Sequence, residues 1–190
     1  MAEFHFFDLQ PNKKVPLRGS HGFLDAVPAS EFWGAAHKVG NNVGLATGQK
    51  SGVVVIDCDG EEGIKNFRRI FGDDAMNTLV QKTPKGWHFI YASDEAFRSN
   101  ASVIAPKVDV RANGGYIVFA PSEVDGKRYT LSGQIAPLPD SIKAHLDPIT
   151  PKASELGEDD EDEESPISIT VMLPDDVMAR IRRLERALGL

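Results

Sequence analysis

Three observations predict an α/β fold built on a mixed sheet with helices on one or both faces. VVVID, at Val53–Asp57, is an apolar run that stops at charge. EEGIKNFRRIF, at Glu61–Phe71, then changes to helical spacing. Finally WHFIYA, KVDVR and YIVFA follow, rich in the β-branched and aromatic residues that favour strands. Strand, helix and then further strands is the order of a layered α/β domain. At 190 residues, with 41% hydrophobic and 26% charged residues, the chain can bury a sizeable core.

Taken in order, ASEFWGAAHK at Ala29–Lys38 predicts an amphipathic helix with Ser30 as its N-cap. Val53–Asp57 is the first clear strand. Period-two alternation puts Asp57 and Asp59 on one face behind Val53 and Val55, and Ile56 and Cys58 on the other. The helix over Glu61–Phe71 presents Ile64, Phe67 and Phe71 on one side. Strands follow at Trp87–Ala92, Lys107–Arg111 and Tyr116–Ala120, and the ANGG between the last two reads as a hairpin turn. The organisation expected is a main folded domain over residues 1–150, an acidic linker over 151–165 and a helical tail over 166–190.

The formal charge of −7 argues against a nucleic-acid partner until it is located. ELGEDDEDEE, Glu155–Glu164, holds eight carboxylates in ten residues, and setting them aside takes the charge from −7 to +1. Such a run repels itself and predicts a disordered connector. In the tail, Val177, Ile181, Leu184 and Leu188 recur at three- and four-residue steps on a segment with acids first and arginines later, a helix expected to need a packing partner. The single cysteine, Cys58, excludes an intramolecular disulfide and a cysteine-rich zinc site. MAEFHFFDLQ lacks a basic leader pattern, and no apolar run approaches membrane-spanning length, so a soluble, cytoplasmic protein is expected.

Three segments carry candidate chemistry. In VVVIDCDG two carboxylates share one strand face, where each raises the other's proton affinity unless a cation lies nearby. The bland explanation is a strand end whose Asp-Gly opens a turn and caps the following helix. In TPKGWHFIY, Pro84 and Gly86 place a turn ahead of His88, a residue that taken alone is more often solvated or buried than functional. In VDVRANGGYIVFAPS, Asp109 and Arg111 share a face, with Val108 and Val110 on the other, and a structural ion pair would explain them equally well. Together they say more. Asp57, Asp59 and Asp109 form the acidic triplet that two Mg²⁺ or Mn²⁺ ions need for in-line phosphoryl transfer, with His88 and Arg111 facing a triphosphate.

Two other motifs fail on context. GLATGQKS, Gly44–Ser51, has Gln49 where a phosphate-binding loop needs its second glycine, and it precedes a strand. VVVIDCDG also resembles the opening motif of haloacid-dehalogenase-type phosphohydrolases. That family expects Thr or Val where Glu61 stands, and Asp73–Asp74 comes too soon to be its later acidic pair.

The order D-x-D, small-x-His, hydrophobic-Asp resembles the motifs of the archaeo-eukaryotic primase superfamily. More narrowly, NNVGLATGQKSGVVVIDCDG, TPKGWHFIY and VDVRANGGYIVFAPS are similar to the primase-polymerase domains of phage and plasmid replication proteins. The likeness runs from about Lys14 to about Leu146. It implies an α+β fold with a largely antiparallel central sheet and an RRM-like catalytic core flanked by helices. It implies that Asp57, Asp59 and Asp109 bind two metal ions, with no zinc, and that His88 contacts the incoming nucleotide's phosphates.

The same resemblance assigns nucleotide binding also to Gly86, Arg111, Gly114 and Gly115, and aligns Asn42 and Gly48 ahead of the first strand. Many relatives carry serine where Gly86 stands. The partners implied are a DNA template-primer, dNTPs or NTPs, and a helicase fused after a helical region that the tail would begin. A phosphohydrolase, or a nucleic-acid-binding module without catalysis, remains the competing expectation.

Overall fold

The computed structural model describes residues 3–150. In chain order the elements begin with strand β1 (His5–Leu9), β2 (Val27–Pro28), helix α1 (Ala29–Glu31), β3 (Asn42–Ala46), β4 (Val53–Asp59) and helix α2 (Gly60–Phe71). They continue with β5 (Leu79–Lys82), β6 (Gly86–Ala92), β7 (Asn100–Ala105), β8 (Val108–Arg111) and β9 (Tyr116–Phe119). The last are β10 (Glu123–Val124), β11 (Lys127–Arg128), β12 (Thr130–Ser132), β13 (Ala136–Pro137) and helix α3 (Asp140–Lys143). The linker and tail read from the sequence lie outside the described residues.

The larger sheet has the order β12-β5-β6-β4-β8-β7, with β13 added parallel to β6 and every other pairing antiparallel. A second antiparallel sheet runs β2-β1-β3-β9. The α+β class and the predominance of antiparallel pairing agree with the sequence reading. No helix among the described residues is long and apolar enough to cross a membrane.

Both faces of β4 are buried along its first half, which is why VVVI reads as an unbroken apolar run. One face presents Val54, Ile56 and Cys58 to α2 and α3, where Phe67 stacks on Phe89 at 4.9 Å and Ile142 is fully buried. The other presents Val53 and Val55, beside Leu79 and Ile90, to the second sheet through Phe6, Leu45 and Phe119. One face of the larger sheet is thus covered by helices and the other by a second sheet. That sheet was not foreseen: HFFDL and NVGLA are short, and Gly44 hides the packing of β3. A Cβ on Gly44 would lie 2.5 Å from the Phe7 ring, so the glycine lets β1 lay an aromatic across its neighbour.

Two further expectations are corrected. The helix expected over Ala29–Lys38 is a single turn, α1, followed by a π-type turn at Phe32–Ala36, and its N-cap is Pro28, not Ser30. The chain leaves the helix at His37 because Asp8 on β1 takes hold of it. The Asp8 carboxylate lies 2.6 Å from His37 Nδ1 and accepts hydrogen bonds from Lys38 N–H at 3.0 Å and Asn41 Nδ2 at 2.8 Å. A side-chain acceptor serving three partners within five residues competes successfully with a weak helical segment containing Gly34.

The ANGG segment does not close a hairpin. It carries the chain from β8 in the larger sheet to β9 in the second, because Ile117 and Phe119 belong to the core between the sheets. Thr47 fastens the crossing, donating Oγ1–H to Ala112 O at 2.6 Å and N–H to Gly115 O at 3.0 Å.

Candidate active site

Along β4 the face that packs against the second sheet turns from apolar to ionisable within two residues, from Val55 to Asp57. The antiparallel register aligns its neighbours with that change. Asp57 lies directly opposite His88 on β6 and directly opposite Asp109 on β8. His88 in turn lies opposite Gln81 on β5. A row of Gln81, His88, Asp57 and Asp109 therefore crosses four adjacent strands, and Asp59 and Arg111 flank it one step along the same face.

The distances are short. His88 Nε2 is 3.4 Å from Asp57 Oδ1. One Arg111 guanidinium nitrogen bridges the two carboxylates, at 2.9 Å from Asp109 Oδ2 and 3.7 Å from Asp57 Oδ2. The other Asp109 oxygen accepts the Ser102 backbone N–H at 2.8 Å. Asp59 occupies the N-cap position of α2, yet its carboxylate makes no capping hydrogen bond, so helix capping does not account for it.

Burial and the neighbouring Asp59 push the Asp57 carboxyl up to about 6, with Arg111 pulling the other way. Burial, reinforced by the positive charges of Lys14 and Arg111, pushes His88 down to about 3, so its ring is neutral at physiological pH. Tyr129 packs beside it, ring centroids 6.4 Å apart, its hydroxyl pushed up to about 12 by burial and by Asp57. The strand behind the site tolerates this. Val53 to Ile56 are all 0% exposed and together contribute roughly 6–12 kcal/mol by burial. That exceeds the cost of about 2–3 kcal/mol for holding Asp57 ionised.

The structure brings Asp57, His88, Asp109 and Arg111 into contact and places Asp59 one step along the same strand face. Gly86 is adjacent for a backbone reason: opposite Asp59, it lies so close to β4 that a Cβ would stand 2.0 Å from Cys58 O. A side chain bearing a Cβ does not fit that spacing, so this backbone calls for glycine at Gly86. Gly114 and Gly115 do not join the row. They lie beyond the Arg111 end of β8, with Gly115 against Ser99 and Thr47. Gly48, at φ +75°, makes the turn into β4 and abuts Asn113.

Asn42 is a clamp. Its Nδ2 donates to Lys13 O at 2.9 Å and Glu123 O at 2.7 Å, while its Oδ1 accepts Glu123 N–H at 3.0 Å. With Tyr116 Oη–H bonded to Lys14 O at 3.0 Å, it holds the loop that carries Lys14. Sequence reasoning missed Gln81, Lys14 and Ser102. Only Gln81 left a signal: in LVQK it shares a face with Leu79, a polar residue at a core position.

The carboxylates are a donor set for a hard divalent cation: all oxygen, on adjoining strand positions, with Asp57's proton affinity already raised by a like charge. Among the described residues no three His, Cys, Asp or Glu side chains converge as a ready metal cage, and Arg111 supplies the countercharge between Asp57 and Asp109.

The site is thus a row of half-buried carboxylates, a neutral ring and a guanidinium on adjacent strands of an antiparallel sheet in an α+β protein. The chain belongs to the bifunctional DNA primase/polymerase N-terminal (Prim-Pol) family, whose family model matches residues 1–141. Membership carries DNA primase/polymerase function at the level of the family, with DNA and nucleotides as substrates. No curated protein matches the chain.

Proposed function

We propose that this chain is a template-directed nucleotidyltransferase that joins nucleoside triphosphates to a primer 3′ end, with Asp57, Asp59 and Asp109 holding two divalent cations. The observation that carries the reading is the register: Asp57 directly opposite both His88 and Asp109. Mg²⁺ or Mn²⁺ bound there would supply Lewis-acid stabilisation of the charge that develops as pyrophosphate leaves.

The chain's own residues bind and orient. The rigid strand holds Asp57 and Asp59 before substrate arrives, which spares reorganisation in the reaction. Arg111, here the countercharge of two carboxylates, would be free to turn its fork to the triphosphate with cations bound at those carboxylates. Lys14, held over the site by its loop, adds positive charge on the same side. His88 offers a hydrogen bond to a phosphate oxygen without adding charge of its own.

Incorporation of labelled dNTPs on a primed single-stranded template tests this with the full chain and Mn²⁺. Asp57→Ala, Asp59→Ala and Asp109→Ala are each expected to lose roughly a thousandfold in rate. Full activity in Asp57→Ala or Asp109→Ala sinks the proposal. The same template without primer, given NTPs and dNTPs separately, shows which nucleotide the domain prefers and whether it starts chains.

A further inference from the structure

Gln81 is 0% exposed, and an amide so buried must find partners for both its oxygen and its N–H groups. It finds three. Oε1 accepts the Ala120 backbone N–H at 2.8 Å. Nε2 lies 2.8 Å from Val118 O and 2.8 Å from His88 Nδ1.

The backbone partners fix which way the amide faces. An N–H can only donate and a carbonyl can only accept, so the oxygen must meet Ala120 and the NH₂ must meet Val118. The second N–H of that NH₂ then points at His88 Nδ1, which has to accept it. A proton on Nδ1 would set donor against donor. The neutral ring therefore carries its proton on Nε2, the nitrogen 3.4 Å from Asp57 Oδ1.

We infer that Gln81 is a positioning residue that locks His88 as the Nε2–H tautomer, so that the ring presents a hydrogen-bond donor to the nucleotide's phosphates. The inference rests on the nucleotidyltransferase reading for the identity of the acceptor, though not for the tautomer itself. It excludes His88 as a general base from Nε2, because that nitrogen has no free lone pair in this state.

The anchor comes from the second sheet. β9 is an edge strand of that sheet, paired with β3 alone. The Gln81 amide bonds Val118 O and Ala120 N–H as a peptide group of a neighbouring strand would. The orientation of a site residue on β6 is thus set by the backbone of a different sheet, through one side chain.

Nitrogen NMR of the full chain with isotope-labelled histidine tests the lock. In the wild type the His88 ring is expected to show a protonated Nε2 and a bare Nδ1 at neutral pH. A protonated Nδ1 in the wild type overturns the inference without recourse to any variant. Gln81→Glu keeps an acceptor for Ala120 N–H but offers a carboxylate to Nδ1. It is expected to move a proton onto Nδ1 and to slow dNTP incorporation about 10- to 100-fold, with KM for the primer-template unchanged. A Gln81→Glu chain that moves the proton but keeps its full rate also overturns it. A wild type that shows the Nε2–H tautomer yet extends no primer contradicts the polymerase reading and leaves the tautomer lock standing.

Discussion

Asp57 carries an electrostatic cost in the row, and its sign can be followed. Its carboxyl is raised from 3.8 to about 6, so the folded chain holds that proton more tightly than the unfolded chain does. The resulting stabilisation is fully present below the unfolded value and is lost as pH rises through about 6, leaving an ionised Asp57 that costs about 2–3 kcal/mol near neutrality. Asp57→Asn is therefore expected to raise stability by about 2 kcal/mol in urea denaturation near neutral pH. Below about pH 4 the difference should vanish.

His88 acts in the opposite direction. Its value falls from 6.5 to about 3, so its contribution is present above 6.5 and is lost as pH falls toward 3. The two nearly offset each other in the wild type between about pH 6 and pH 4. Removing Asp57's contribution with Asp57→Asn should expose the histidine slope as a steeper acid destabilisation over that window, read in the same titration. At this scale the carboxylates and His88 were legible because period-two alternation assigns faces without further information. Gln81 was not, since its value lies in partners 37 and 39 residues away, Val118 and Ala120.

Strands β4, β6 and β8 and helix α2 were legible because each carries its own period: apolar runs for the strands and Ile64, Phe67 and Phe71 for the helix. Elements that depend on a distant partner were not. The helix at Ala29 is cut short by Asp8 on β1, and YIVF leaves its expected hairpin because the second sheet offers Ile117 and Phe119 a better burial. Contact between β6 and β4 yields a test at this scale. Gly86→Ser must accommodate a Cβ 2.0 Å from Cys58 O, so the strands have to part. A loss of about 1–3 kcal/mol in chemical denaturation is expected. Activity should fall with it, and a Gly86→Ser chain as stable as wild type would show that β6 has room to spare.

Across the whole molecule, the second sheet covers the apolar half of the larger one and meets the row at Gln81, through Val118 and Ala120. Placement of the site follows from that edge. The overlap was not readable in advance, because both sheets draw strands from scattered segments and share no local pattern. Charge also matters at this scale. The chain carries −7 overall, but its eight-carboxylate run lies outside the matched residues 1–141 and leaves the remainder at +1. A nearly neutral domain should bind DNA weakly without nucleotide, with affinity falling as salt rises. Fluorescence anisotropy with labelled primer-template across a salt series measures this, and tight, salt-insensitive binding would contradict it.

On the proposed reading, Asp57 serves chemistry at the expense of stability. The rate of a single dNTP incorporation by Asp57→Asn, on a sample whose denaturation midpoint shows it at least as stable as wild type, tests this most directly. Incorporation is expected to fall roughly a thousandfold in a fully folded protein. A stable Asp57→Asn chain that extends primers at the wild-type rate would show that Asp57 is not needed for the reaction.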